Sequence, residues 1–96
     1  MNMNQILKQA QAMQKDMMKA QEEVGKMTFT ASKDLVTVEV NGNRKVTKVT
    51  LSEDIGTDDI EMLEDMIMVA INNTFKDIDA YREQKMSKFG NIPGLF

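Results

Sequence analysis

Histidine and cysteine are absent from the 96 residues, so the side chains that most often serve as general base and nucleophile are missing. No serine sits in a strained elbow sequence, and no glycine-rich phosphate loop is present. Two groupings of charge remain that could do chemistry. One is a row of cations, Lys8, Lys15, Lys19 and Lys26, at intervals of seven, four and seven residues. The other is the segment 53–65, with seven carboxylates and no base. Its acids do not follow the alternating spacing, with central glycine and terminal glutamate, of a calcium loop. Acids ahead of a helix complement its N-terminal dipole, and that is the expected role here, with no metal and no cofactor. A regular row of ammonium groups has two readings: it keeps a helix soluble, or it meets something acidic.

The row takes its meaning from the helix that must carry it. Met3, Ile6, Ala10, Met13, Met17, Ala20, Val24 and Met27 are separated by alternating steps of three and four, a heptad seam. This spacing predicts one helix from Met3 to about Lys26, with Gly25 as its terminator. At about 100° per residue the four lysines fall within about 60° of one another, on the edge opposite the seam. A second group, Arg82, Lys85 and Lys88, with Lys76 further back, gathers near the end of a second long helix. If the two helices run antiparallel, Lys8 approaches that group and both arm tips are basic. Arg44, Lys45 and Lys48 make a weaker patch beside a turn, where lysines also serve to keep sheet edges from associating. For the helical groups the alternative is a solvated face, since Asp16, Glu22 and Glu83 lie nearby.

Net charge is −3, but it is unevenly placed. Residues 1–52 hold eight bases and five acids, and residues 66–96 hold four bases and three acids. The acidity sits in the short block between them, so global charge is a poor guide to what the rest of the chain binds.

Between the helices the periodicity changes to two. Met27, Phe29 and Ala31 alternate with threonines, Val36, Val38 and Val40 with Thr37 and Glu39, and Val49 and Leu51 with Lys48 and Thr50. "NGNR", residues 41–44, supplies the Asn-Gly hairpin signal, and Ser32-Lys33-Asp34 is the polar connection before it. Three short antiparallel strands with one buried face follow. Val46 is out of phase with Val49 and Leu51, which calls for a bulge or an exposed valine. Asp58 and Glu61 form a capping box for a helix from about Asp59 to Lys88. The fold class is therefore α+β, α-β-β-β-α, a single domain over residues 1–88 with a flexible tail over 89–96.

The first half of the second helix is apolar on nearly every face, through Met62, Met66, Ile67, Met68, Ala70 and Ile71. Three strands span only about 14 Å, whereas the helices are roughly 36 and 45 Å long. One small sheet shields one side only, so these six residues are expected at a homodimer interface. The longest apolar run, Met66 to Ile71, is far short of the roughly 20 residues of a membrane span. The N-terminus lacks the basic and apolar regions of a signal peptide, so a cytoplasmic protein is expected, with no membrane partner.

Four stretches together resemble the YbaB/EbfC family of nucleoid-associated DNA-binding proteins. They are "LKQAQAMQKDMMKAQEEV", "VTVEVNGNRKVTKVTL", "DIEMLEDMIMVAINN" and "NIPGLF", in that order and over nearly the whole chain. Members usually carry a glycine-rich connection before the second strand, where this chain has "ASKDL". The resemblance implies a tweezers-like homodimer whose helical arms grip double-stranded DNA, acting without catalysis or a small-molecule substrate, on the bacterial nucleoid. Lys8, Lys15 and Lys19 match basic positions of the family's first helix. Arg82, Lys85 and Lys88 match the second helix less closely, and Lys26, Arg44, Lys45 and Lys48 are weaker candidates. Phosphate neutralisation by such arms gives salt-sensitive binding with little sequence preference. The alternatives are a holdase-type interaction module using the methionine seam and an accessory to recombination or replication enzymes.

Overall fold

The computed structural model describes residues 2–90 of the chain. Helix α1 (Met3–Lys26) leads into strands β1 (Thr28–Lys33), β2 (Val36–Asn41) and β3 (Val46–Leu51), and a 3-10 turn (Thr57–Asp59) opens helix α2 (Ile60–Met86). A second 3-10 turn, Ser87–Phe89, ends the described chain. This is the α-β-β-β-α order expected from the periodicities.

The sheet is antiparallel with β2 in the centre, and the period-two pattern sets its faces. Val36, Val38 and Val40 are fully buried beneath α2. Phe29 and Ala31 of β1 stand opposite Val40 and Val38 and share that face. The other face carries Thr30, Glu39 and Lys48 in one row and Ser32, Thr37 and Thr50 in the next. The register slips between Glu39 and Val40, so that Thr47 is the extra residue of a bulge and its hydroxyl donates to the Glu39 carbonyl at 3.1 Å. The slip restores Val46 to the apolar face opposite Val40, which resolves its phase error.

From α2 the core receives Met66, Ala70 and Ile78, spaced in fours and eights along one ridge. Thr74, also on this ridge, is fully buried and satisfied by donating to the Ala70 carbonyl at 2.8 Å. Met66 and Ala70, expected at a dimer interface, are therefore buried against the chain's own sheet. Ile67 and Ile71 are half-buried beside them, while Met62 and Met68 stay more than half exposed.

Several local expectations are corrected. β1 continues through Ser32 and Lys33, and the turn is Asp34–Leu35, with Asp34 at φ 51°. Asp is among the few residues that enter the left-handed region at modest cost, which is how "ASKDL" turns without glycine. Asp58 does not cap α2: the N-cap position is Asp59, which makes no side-chain bond to the helix and instead closes the preceding 3-10 turn, its carboxylate accepting from the Gly56 N–H at 3.0 Å. Phe89, assigned to the tail, is buried with Met86 against Met17 and Ala20 of α1. The rest of the tail, residues 91–96, lies outside the described residues.

The two glycines at the α1–hairpin junction also act otherwise than expected. In the hairpin the left-handed residue is Arg44 at φ 64°, and Arg44 N–H closes a turn onto the Asn41 carbonyl. Gly42 is required by proximity: a Cβ there would lie 1.8 Å from the Val24 carbonyl oxygen. Gly25 lies inside α1 and ends nothing; its Cβ would lie 2.7 Å from Asn43 Oδ1. Gly42 N–H donates to the Met27 carbonyl at 3.0 Å, so the hairpin is fastened to the end of α1.

Because α1 touches the body only near its C-terminal half, residues 3–16 project, all of them exposed. The molecule measures 70 × 21 × 14 Å, with a radius of gyration of 19.1 Å, against about 13 Å for a compact chain of this length. Gly42→Ala is expected to destabilise the fold by about 2–3 kcal/mol. Gly56→Ala, whose Cβ would meet only Asp59 Oδ2 at 3.4 Å, is expected to stay within about 0.5 kcal/mol. Urea unfolding of the two variants checks the contrast.

Candidate nucleic-acid interface

An Asn2 cap starts the arm, its side-chain oxygen accepting from Gln5 N–H at 2.9 Å. From Leu7 to Glu23 no residue is β-branched, glycine or proline, so propensity supports the helix where packing does not, up to Asp16. Lys8, Lys15 and Lys19 are exposed on this helix, opposite the edge that buries Met17, Ala20 and Val24. None of the three has an ion-pair partner among the described residues. Lys26 stands 3.8 Å from Glu22 one turn away, an exposed pair of little energetic weight. Along α1 the row from Lys8 to Lys19 covers about 17 Å. Gln11, Gln14 and Met18 lie beside Lys15 and Lys19 in a shallow open groove.

The cations of α2 are not equivalent to one another. Arg82 is half-buried and donates from Nη1 to Gln21 Oε1 at 2.7 Å and from Nη2 to the Gly42 carbonyl at 2.6 Å. Its planar fork thus clasps α2 to α1 and to the hairpin together. Lys85 is half-buried and Lys88 exposed; with Tyr81 and Gln84 they line a second shallow groove. Lys88 Nζ sits 5.0 Å from the Phe89 ring centroid. The helices do run antiparallel, but Arg82 is level with Gln21 and the Met86–Phe89 pair with Met17 and Ala20. Lys8 lies nine residues beyond Met17, about 14 Å further out, so the structure does not bring it to the Arg82–Lys88 group.

At the hairpin, Arg44 pairs with Asp79 of α2 and lies 5.6 Å from the Phe75 ring centroid. Lys45 and Lys48 are exposed, Lys48 standing opposite Glu39 in the register. Among the described residues no group of three acids could hold a metal ion, and no helix is long and apolar enough to cross a membrane.

The acidic segment lies at the other end of α2 from Lys85 and Lys88. The helix between, Ile60–Met86, is about 39 Å long, and the Debye length at physiological salt is only about 8 Å. On α1, Lys19 is level with the Met86 end, and Lys15 and Lys8 lie beyond it. These three lysines are therefore electrostatically independent of the carboxylates of residues 53–65.

A family profile described as the YbaB/EbfC DNA-binding family matches residues 1–92. The chain belongs to the YbaB/EbfC DNA-binding family. Relatives extend over its full length. A nucleoid-associated protein of Agathobacter rectalis is 46% identical, covering 99% of this chain and 88% of its own. One of Ligilactobacillus salivarius is 38% identical, covering 99% and 95%. A crystal structure of an uncharacterized Helicobacter pylori protein superposes with a TM-score of 0.77 over 95% of this chain and 99% of its own. At 19% identity that likeness concerns the fold alone. The YbaB/EbfC assignment agrees with the order of motifs in the sequence.

Two features escaped the sequence. The clasp by Arg82 joins residues 61 and 40 positions apart, a distance at which no spacing rule operates. The apolar side chains of β3, Val46, Val49 and Leu51, share the face of the buried valines yet are exposed, because α2 packs across β1 and β2 and scarcely reaches β3. Arg82→Ala is expected to cost about 2 kcal/mol of stability, the worth of charge-assisted bonds to partly buried partners. Lys85→Ala is expected to cost under about 0.5 kcal/mol. Chemical denaturation of both variants separates a clasp from a surface cation.

Proposed function

We propose that the protein is a non-catalytic DNA-binding protein of the nucleoid, acting as a homodimer that holds duplex DNA between its α1 arms through phosphate contacts. The observation that carries this reading is the row Lys8, Lys15 and Lys19: three exposed cations without ion-pair partners among the described residues, in line on a projecting helix. Membership of a DNA-binding family supports DNA as the partner, and relatives named nucleoid-associated proteins support the site of action. Ammonium groups neutralise phosphates as point charges and read no base edge, so sequence preference is weak. Lys85, Lys88 and the hairpin lysines add to the basic surface, whereas Arg82 acts through the position of the arm.

The dimer rests on the uncovered face of β3. Val49 and Leu51 are 44% and 45% exposed on a sheet face that elsewhere is core. Ile60, Met62 and Met68 add exposed apolar surface on α2. A two-fold related copy that covers this face sets two arms on one body and doubles the phosphate contacts.

In gel-shift titrations of long duplex DNA, affinity is expected to fall steeply between about 50 and 200 mM salt. The Lys8→Ala/Lys15→Ala/Lys19→Ala variant should lower the slope of log K against log salt by about three per chain. No retardation of DNA at the lower salt would sink the reading. Separately, Val49→Lys/Leu51→Lys is expected to sediment as a folded monomer; a persistent dimer would place the interface elsewhere.

A further inference from the structure

The β2–β3 turn holds a chemistry separate from DNA binding. Asn41–Gly42 is the chain's one Asn-Gly dipeptide. In such a pair the glycine nitrogen, unshielded by a Cβ, can attack the side-chain carbonyl carbon of the asparagine and close a five-membered succinimide. Around Asn41 the structure favours one half of that reaction and blocks the other. Its Oδ1 accepts from Asn43 N–H at 2.9 Å and from Lys45 N–H at 3.1 Å. Two donors on one carbonyl oxygen are the arrangement that stabilises the oxyanion of a tetrahedral intermediate. Nδ2, the leaving group, has no hydrogen-bond partner among the described residues. The nucleophile is what is withheld. Gly42 is buried, and its N–H donates to the Met27 carbonyl at 3.0 Å. An N–H shut from water and engaged in this way keeps its proton.

We propose that Asn41 is a conditional deamidation site, silent while the hairpin is fastened to α1 and reactive when the two part. Once the Gly42 N–H leaves Met27, solvent base takes its proton and the nitrogen bonds to Asn41 Cγ. The Cγ–Nδ2 bond breaks, and Nδ2 departs as ammonia with a proton from water. Water then opens the ring at either carbonyl and leaves aspartate or isoaspartate at position 41, with no oxidant or cofactor consumed. Packing retains both members of the pair. Gly42 cannot give way to a residue that shields its nitrogen, since a Cβ would lie 1.8 Å from the Val24 carbonyl oxygen. Asn41 supplies the oxygen that the two turn amides require. Isoaspartate lengthens the main chain by one carbon where there is no spare room, so the modified hairpin does not reseat and the arm stays unfastened. A passing opening becomes a lasting mark.

The test follows the full-length protein in mildly alkaline buffer by peptide mass spectrometry, with isoaspartyl methyltransferase labelling to report the isoaspartate. Asn41 is expected to react at least about tenfold more slowly than in a free peptide of residues 36–46, because the native rate is scaled by the open fraction. Arg82→Ala removes the bonds to the Gly42 carbonyl and Gln21 and should raise the rate about tenfold. Gln21→Ala, which removes only one of the two, should raise it about threefold. Leu63→Ala, a half-buried change at the far end of α2, lowers global stability and should leave the rate within about twofold. Equal rates in protein and peptide overturn the proposal, as do wild-type rates in both clasp variants. Acceleration by Leu63→Ala as large as that by Arg82→Ala also overturns it, because the gate would then be global unfolding.

Discussion

The α1 arm is positioned by one close approach of backbone to backbone, at Gly42. The Val24 carbonyl occupies the space where a side chain would begin. The Gly42 N–H reaches the Met27 carbonyl, and its own carbonyl receives the Arg82 guanidinium. Three segments, the end of α1, the β2–β3 hairpin and the last turns of α2, are thereby tied at a single residue. The direction in which the α1 arm leaves the body follows from that junction, with the Met17–Ala20–Met86–Phe89 cluster as its second support.

The two uncovered apolar surfaces share one cause. A three-stranded sheet is too narrow for what surrounds it: α2 covers β1 and β2, leaving β3 bare, and its end reaches only half of α1. In the proposed dimer a second copy covers the first of these surfaces. Natural sheets blunt exposed edges with lysine and bulges, and β3 carries both, in Lys48 and Thr47.

How much of this was legible in the sequence depended on the range of the interaction. Period-two valines and the phase error at Val46 foretold the sheet face and its bulge, because a strand's pattern is imposed residue by residue. The seam of α1 was legible as an alignment of side chains, but heptad spacing says nothing of how far a partner extends along it. The Asn-Gly turn was found for one reason and exists for another: the left-handed residue is Arg44, and Gly42 serves a contact with a segment 18 residues earlier. Met66 and Ala70 looked like interface residues because the helix around them is apolar all round, and only the packed sheet shows which side it uses. Arg82 looked like its neighbours Lys85 and Lys88. Its separate role lies in two long-range acceptors that composition does not reveal.

The separation of charge along the molecule has a consequence for how it meets any polyanion. A thin body 70 Å long, with seven of its fifteen carboxylates in residues 53–65 and with Lys8 and Lys15 on an arm beyond the other end of α2, is a polarised rod in a field gradient. Its net charge of −3 opposes approach broadside. Within a Debye length the near end dominates, and attraction at one end with repulsion at the other turns the long axis towards the charged surface. In the proposed reading orientation thus precedes contact, with the acidic end as a rudder that selects arm-first encounters.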